Sequence, residues 1–139
     1  MQTVTPHLLY EDVAAAIDWL SRAFGFEERL RFTDDGGAVT HAELTIGDGE
    51  IFLGHPGSDY RSPKRLGAFT FLVHVYVDDV DAHHARAVEA GATIHGELED
   101  TPYGDRRYDT EDLEGNRWSF AQLLREVEPE EWGGTRPAA

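Results

Sequence analysis

His7-Leu8-Leu9-Tyr10-Glu11-Asp12-Val13 returns 67 positions later as His74-Val75-Tyr76-Val77-Asp78-Asp79-Val80. Each copy leads into an alanine-rich stretch, Ala14 to Phe24 and Asp81 to Ala90. Each stretch runs into a glycine, Gly25 or Gly91, the residue best suited to stop a helix. A duplicated strand–helix unit is the ground plan.

Working outward, 139 residues suffice for one well-buried core but not for two independent domains, so the two copies are expected to share one structure. The absence of cysteine removes disulfides, thiolate metal sites and cysteine nucleophiles, and suits a reducing compartment. The opening residues Met1 to Pro6 carry no basic region followed by an apolar run, and no later segment reaches membrane-spanning length. The expectation is a soluble, cytoplasmic protein without a membrane partner. With 27 Asp and Glu against 12 Lys and Arg, the formal charge is −15, which repels phosphate backbones and argues against nucleic acid. The acidity serves solubility, or it steers a cationic ligand; charge alone does not choose.

Asp12 is placed to cap a helix over Val13 to Phe24, whose apolar stripe is Val13, Ile17, Leu20 and Phe24. A strand precedes it at 3–10, and alternating segments near 26–32, 39–46 and 50–54 follow across the turn signals Asp34-Asp35-Gly36-Gly37 and Gly47-Asp48-Gly49. The second copy repeats the order: strand 68–77, helix 80–90, strand 93–98, then a hairpin of 103–110 and 116–121 across Asp112-Leu113-Glu114-Gly115. This predicts an α+β fold of two tandem βαβββ modules, module one at 1–56 and module two at 67–125. The segment 57–66 reads as an aperiodic linker. The tail 126–139, rich in Glu, Pro and Gly, is expected to be mobile unless Trp132 docks.

The start of the first helix, Asp12-Val13-Ala14-Ala15-Ala16-Ile17-Asp18-Trp19, carries a family resemblance. So do Thr40-His41-Ala42-Glu43-Leu44, Tyr103-Gly104-Asp105-Arg106 and Asp112-Leu113-Glu114-Gly115-Asn116-Arg117-Trp118-Ser119-Phe120. They resemble the vicinal oxygen chelate superfamily, which includes glyoxalase I, extradiol dioxygenases, fosfomycin-resistance enzymes and bleomycin-resistance proteins. The resemblance covers the chain to about residue 124 and implies one domain, residues 1–125. It also implies that the mixed sheets of the paired modules curl around a shared cavity in a homodimer. Metal-dependent members place one His or Glu from each of four strands on a divalent ion. Aligned by the helix starts, those positions fall here on Thr5, Phe52, Leu72 and Ser119. Phe and Leu cannot coordinate, and Thr and Ser are weak ligands, so the usual site is not expected. A register shift of two residues keeps the same strand face and brings His7 and His74 near such an ion.

Alternation puts Thr5, His7 and Leu9 on one strand face, and Leu72, His74 and Tyr76 on its counterpart, with Val73, Val75 and Val77 turned towards the helices. His7 and His74 are candidates for ligand hydrogen bonding, proton transfer or metal binding; they also suit a polar filling of the sheet. Along 39–46, Ala42, Leu44 and Ile46 face the core, leaving His41 and Glu43 together on the cavity side. That pair forms an acid–base couple, supplies two metal ligands, or is a hydrated strand surface. Tyr103 and Arg107 share a parity, as do Arg117 and Ser119, which gives an aromatic and cationic wall, while Trp118 and Phe120 belong to the core. His55 reads as loop surface. His83 and His84, about 100° apart on a helix, read as a solvated face.

No nucleophile elbow, phosphate loop or dinucleotide fingerprint is present. The leading expectation is a metal-independent protein, without cofactor, that sequesters an amphipathic or cationic small molecule in the manner of bleomycin-resistance proteins. The ligand would be held by His7, His41, Glu43, Phe52, His74, Tyr76, Tyr103, Arg107, Arg117 and Ser119. The alternative is a lyase, isomerase or dioxygenase using one divalent metal ion on His7, His74 and Glu43. Metal-free acid–base catalysis by His41 and Glu43 is a third reading.

Overall fold

The structure is a computed structural model describing residues 1–138. Its order is β1 (His7–Leu9), α1 (Val13–Phe24), β2 (Glu27–Thr33), β3 (Val39–Ile46), β4 (Gly49–Gly54) and α2 (Pro63–Leu66). Then follow β5 (Leu72–Tyr76), α3 (Val80–Glu89), β6 (Thr93–Asp100), β7 (Asp105–Glu111) and β8 (Arg117–Leu123), with a 3-10 turn at Pro129–Trp132. The strands form two four-stranded sheets of identical plan, β1-β4-β3-β2 and β5-β8-β7-β6. In each the first strand pairs parallel to the last while the hairpin pairs are antiparallel, so both sheets are mixed. The α+β fold of two βαβββ modules is therefore the fold of the chain.

The duplicated Asp caps both main helices: Asp12 accepts from the Ala15 amide and Asp79 from the Ala82 amide. Gly25, at φ 80°, closes α1 in the left-handed region where a side chain is disfavoured. Val13, Ala16, Ile17, Leu20, Ala23 and Phe24 form the buried face of α1, a stripe at helical spacing. Phe24 reaches into the second module, its ring 4.7 Å from that of Phe120 and 5.5 Å from that of Trp118. One core thus spans both modules, as a chain of this length requires. Val73 is buried, Val75 and Val77 pack against the same core, and Trp118 and Phe120 are fully buried, as their parity predicts.

Some expectations need correction. The histidine pair of α3 is not a solvated face. His83 is largely buried between the modules, bonded to the Tyr108 hydroxyl at 2.6 Å and the Phe24 carbonyl at 2.8 Å. His84 lies edge-on to Tyr108, its Nε2 3.4 Å from Glu97. Both histidines turn towards the ring of Tyr108, on β7 of the same module.

The linker is also more than a tether, because Ser62 caps the short helix α2 by accepting from the Arg65 amide and Gly67 closes it. At the other end of the chain, Trp132 lies against Tyr103, ring centres 5.7 Å apart. No helix among the described residues is long and apolar enough to cross a membrane.

The segment Asp112 to Asn116, read as a turn, clamps the modules together. Buried Asp112 accepts from the Tyr10 hydroxyl at 2.6 Å, the Trp118 indole at 3.1 Å and the amides of Glu114 and Asn116. Glu114 accepts from the amides of Glu11 and Asp12 at the entrance of α1. Burial is the main influence raising the pKa of both carboxyls, opposed by these hydrogen bonds.

Candidate functional site

Register in the first sheet sets His7 beside Phe52 and Phe52 beside Glu43, across β1, β4 and β3. One rung along, Gly54 lies between Leu9 and His41. His7 bends over this glycine: a Cβ there would stand 2.7 Å from His7 Nε2. The space left by Gly54 lets three rings gather, with centres 6.0 Å apart for His7 and His41, 5.9 Å for His7 and Phe52, and 5.5 Å for His41 and Phe52. All meet edge to face, a favourable arrangement for ring quadrupoles. The predicted His41 and Glu43 pair also forms, Nε2 to Oε2 at 2.9 Å. Arg29 binds the other oxygen of Glu43 and reaches Glu50 at 2.9 Å. The result is an aromatic patch with a neutralised carboxylate at its rim.

An apolar cavity of about 310 Å³ adjoins His7 and Leu9. Tyr60, Leu66, Phe69 and Phe71 wall it from the opposite side, and the Tyr60 hydroxyl donates to the Leu9 carbonyl at 3.2 Å. These walls come from the supposed linker and its continuation. They escaped sequence reading because β5 begins at Leu72 rather than 68, leaving Phe69 and Phe71 outside the strand and half exposed.

The second sheet gathers the other candidates. His74 and Tyr76 meet edge to face at 4.9 Å, and the Tyr76 hydroxyl donates to Asp105 at 2.8 Å. That hydrogen bond, more than burial, raises the tyrosine pKa. Ser119, buried beside His74 in the register, is covered by Arg107, whose guanidinium lies 3.2 Å from its hydroxyl and also holds Asp109. Arg117 instead lies over the Phe69 ring, 4.0 Å from its centre. Tyr103 precedes β7 and meets Trp132 edge to face rather than continuing a wall with Arg107. A cleft of about 280 Å³ is shared by both sheets, with Ile46, Glu50 and Ile51 on one side and Val73, His74 and Tyr76 on the other. No hydrogen bond, ion pair or ring contact among the described residues links the His7 group to the His74 group.

The donor set does not fit a metal within this chain. Phe52 separates His7 from Glu43, both oxygens of Glu43 are engaged, and the aligned positions Thr5, Phe52, Leu72 and Ser119 supply no strong ligand. Among the described residues no three His, Asp or Glu side chains converge as a metal-binding group.

Two mixed sheets from repeated βαβββ modules, with candidate ligand residues on their open faces, define the class. The family model of the Glyoxalase/Bleomycin resistance protein/Dioxygenase superfamily matches residues 3–120, and the chain belongs to that family. TioX from Micromonospora sp. ML1 is 38% identical and superposes with a TM-score of 0.74, covering 89% of this chain and 100% of that one. A glyoxalase-related enzyme from Clostridium phytofermentans shares the fold at a TM-score of 0.67 and 15% identity, over 89% of this chain and 96% of that one. An uncharacterized protein of Mycobacterium bovis is 37% identical over 133 residues, covering 92% of this chain and 88% of the relative.

Proposed function

We propose that this protein binds a small molecule without a metal ion, as a cytoplasmic homodimer, using the open faces of its sheets and the aromatic cavity beside β1. The observation that carries the reading is the cluster of His7, His41 and Phe52 beside the cavity walled by Tyr60, Phe69 and Phe71. Such a surface offers ring faces and edges to an amphipathic ligand, and few polar groups to orient it. The second sheet contributes His74, Tyr76, Arg107, Arg117 and Ser119, with Tyr103 at its margin. The metal-dependent alternative needs His7, His74 and Glu43 to converge, and in one chain they do not.

Native mass spectrometry of untagged protein purified without chelators tests the reading. The expected species is a dimer without metal, retaining an organic molecule or accepting one on addition. About one metal ion per protomer would overturn it. In the His7→Ala/His74→Ala double variant, binding of a retained molecule should weaken while metal content stays at background.

A further inference from the structure

Seven of the twelve Lys and Arg side chains lie within salt-bridge distance of a carboxylate, as expected in so acidic a chain. The exceptions among the described residues are Arg61, Lys64, Arg86, Arg117 and Arg125. Arg86 is occupied through Nε and Nη2 by the carbonyls of Arg22 and Ser21 at the end of α1, whereas Arg61 uses only Nη1, on the carbonyls of Ser58 and Tyr60. Three of the remaining four, Arg61, Lys64 and Arg117, stand around one place, the segment 60–69. Arg61 lines the 310 Å³ aromatic cavity, and no Asp or Glu lines it. Lys64 and Arg117 line an adjoining cavity of about 510 Å³, and Pro63, Ala68 and Phe69 line both. Glu111, also on that second wall, is bound by His95 at 2.6 Å. The cleft shared by the two sheets is the opposite case, lined by Asp48 and Glu50 with no Lys or Arg.

Cations left without carboxylates in a chain of charge −15 are a selective feature. The general field of the protein repels anions, so any anion that binds must be attracted locally. Arg117 lying flat over Phe69 presents its edge donors to a ligand, and Lys64 adds a mobile point charge. We propose that these joined cavities bind an aromatic molecule carrying an anionic group, its rings among Phe69, Phe71 and Tyr60, its charge held by Arg61, Lys64 and Arg117. This rests on the binding reading above and reverses the cationic ligand that overall charge suggests.

Anilinonaphthalene sulfonate and phenylnaphthylamine share a ring system and differ in the sulfonate, so paired fluorescence titrations isolate the anionic contribution. The wild-type protein should bind the sulfonate about tenfold tighter than the neutral amine, and added salt should narrow the gap. Lys64→Ala, at an exposed position, should remove most of that preference while leaving the amine unchanged. Arg117→Ala, which also uncovers the Phe69 ring, should lower the ratio of sulfonate to amine affinity by a similar factor whatever it does to the amine. Arg125→Ala should alter neither probe. If the amine binds and the sulfonate shows no preference, or keeps it in both variants, the anionic inference is overturned and the binding reading stands. If the wild type binds neither probe, the cavity is not a ligand site and both fall.

Discussion

His83 shows how one side chain couples the modules to pH. Its Nε2–H donates to the Phe24 carbonyl, leaving Nδ1 to accept the Tyr108 hydroxyl, so the neutral imidazole satisfies both partners. Burial is the main cause of a pKa lowered from 6.5 to about 4. The unfolded chain therefore binds this proton more readily. The resulting stability is complete above pH 6.5 and is lost as pH falls towards about 4, an effect of at most ~3 kcal/mol. Glu11 acts in a lower window. Its pKa is lowered to about 2, chiefly by the Ser62 amide, so its contribution is present above 4.5 and lost as pH falls towards 2. His83→Leu should lower stability near neutral pH by about 1–3 kcal/mol, since it strands a hydroxyl and a carbonyl. It should also flatten the decline of the thermal midpoint between pH 6.5 and 4; an unchanged decline would refute the assignment. At this scale the strand faces of His7 and of the His41 and Glu43 pair were legible, because period-two alternation marks one face. Phe52 entered only through the family alignment, which says nothing of its contact with both histidine rings. His83 was not, because its partners lie 25 and 59 positions away and helix spacing says nothing of them.

Among the elements, α1 and β3 begin and end where periodicity and capping put them, since these are local preferences. The first strand of each module is shorter than its apolar run suggests. Residue pairing with β4 spans only His7–Leu9 and with β8 only Leu72–Tyr76. Beyond those rungs single backbone bonds, such as Tyr10 N–H to the Gly54 carbonyl and Val77 N–H to the Ala121 carbonyl, end the contact. Helix α2 had its signals in Ser62, Pro63 and Gly67, but four residues cannot show a helical period. The Asp112 segment was read as a turn because its chemistry is that of a turn; Tyr10, 102 positions away, makes it a clamp. Asp112→Ala would strand the Tyr10 hydroxyl and the Trp118 indole in the core. A loss of about 3–5 kcal/mol is expected by chemical denaturation, far above the cost of altering a surface turn. A loss below about 1 kcal/mol would show that the clamp is dispensable.

For the whole molecule, the open faces conflict with the charge. Phe32, Leu72 and Tyr76 are each at least half exposed, and β2 is exposed along its full length at the edge of the first sheet. Apolar area of this kind on two sheet faces favours association, and an uncovered edge strand adds unpaired backbone groups to the same tendency. Against this, two protomers of formal charge −15 repel one another. Salt separates the two forces, because it screens repulsion between exposed charges while leaving apolar burial intact. A homodimer closed by these faces should therefore tighten, by about threefold or more, between roughly 0.05 and 0.5 M salt in sedimentation equilibrium. Replacing Phe32 and Tyr76 with Ser should weaken association while the dissociated protomer keeps its circular dichroism. Association that weakens with salt would assign the contact to ion pairs instead, and a monomer at every concentration would leave the sheet faces to the ligand alone.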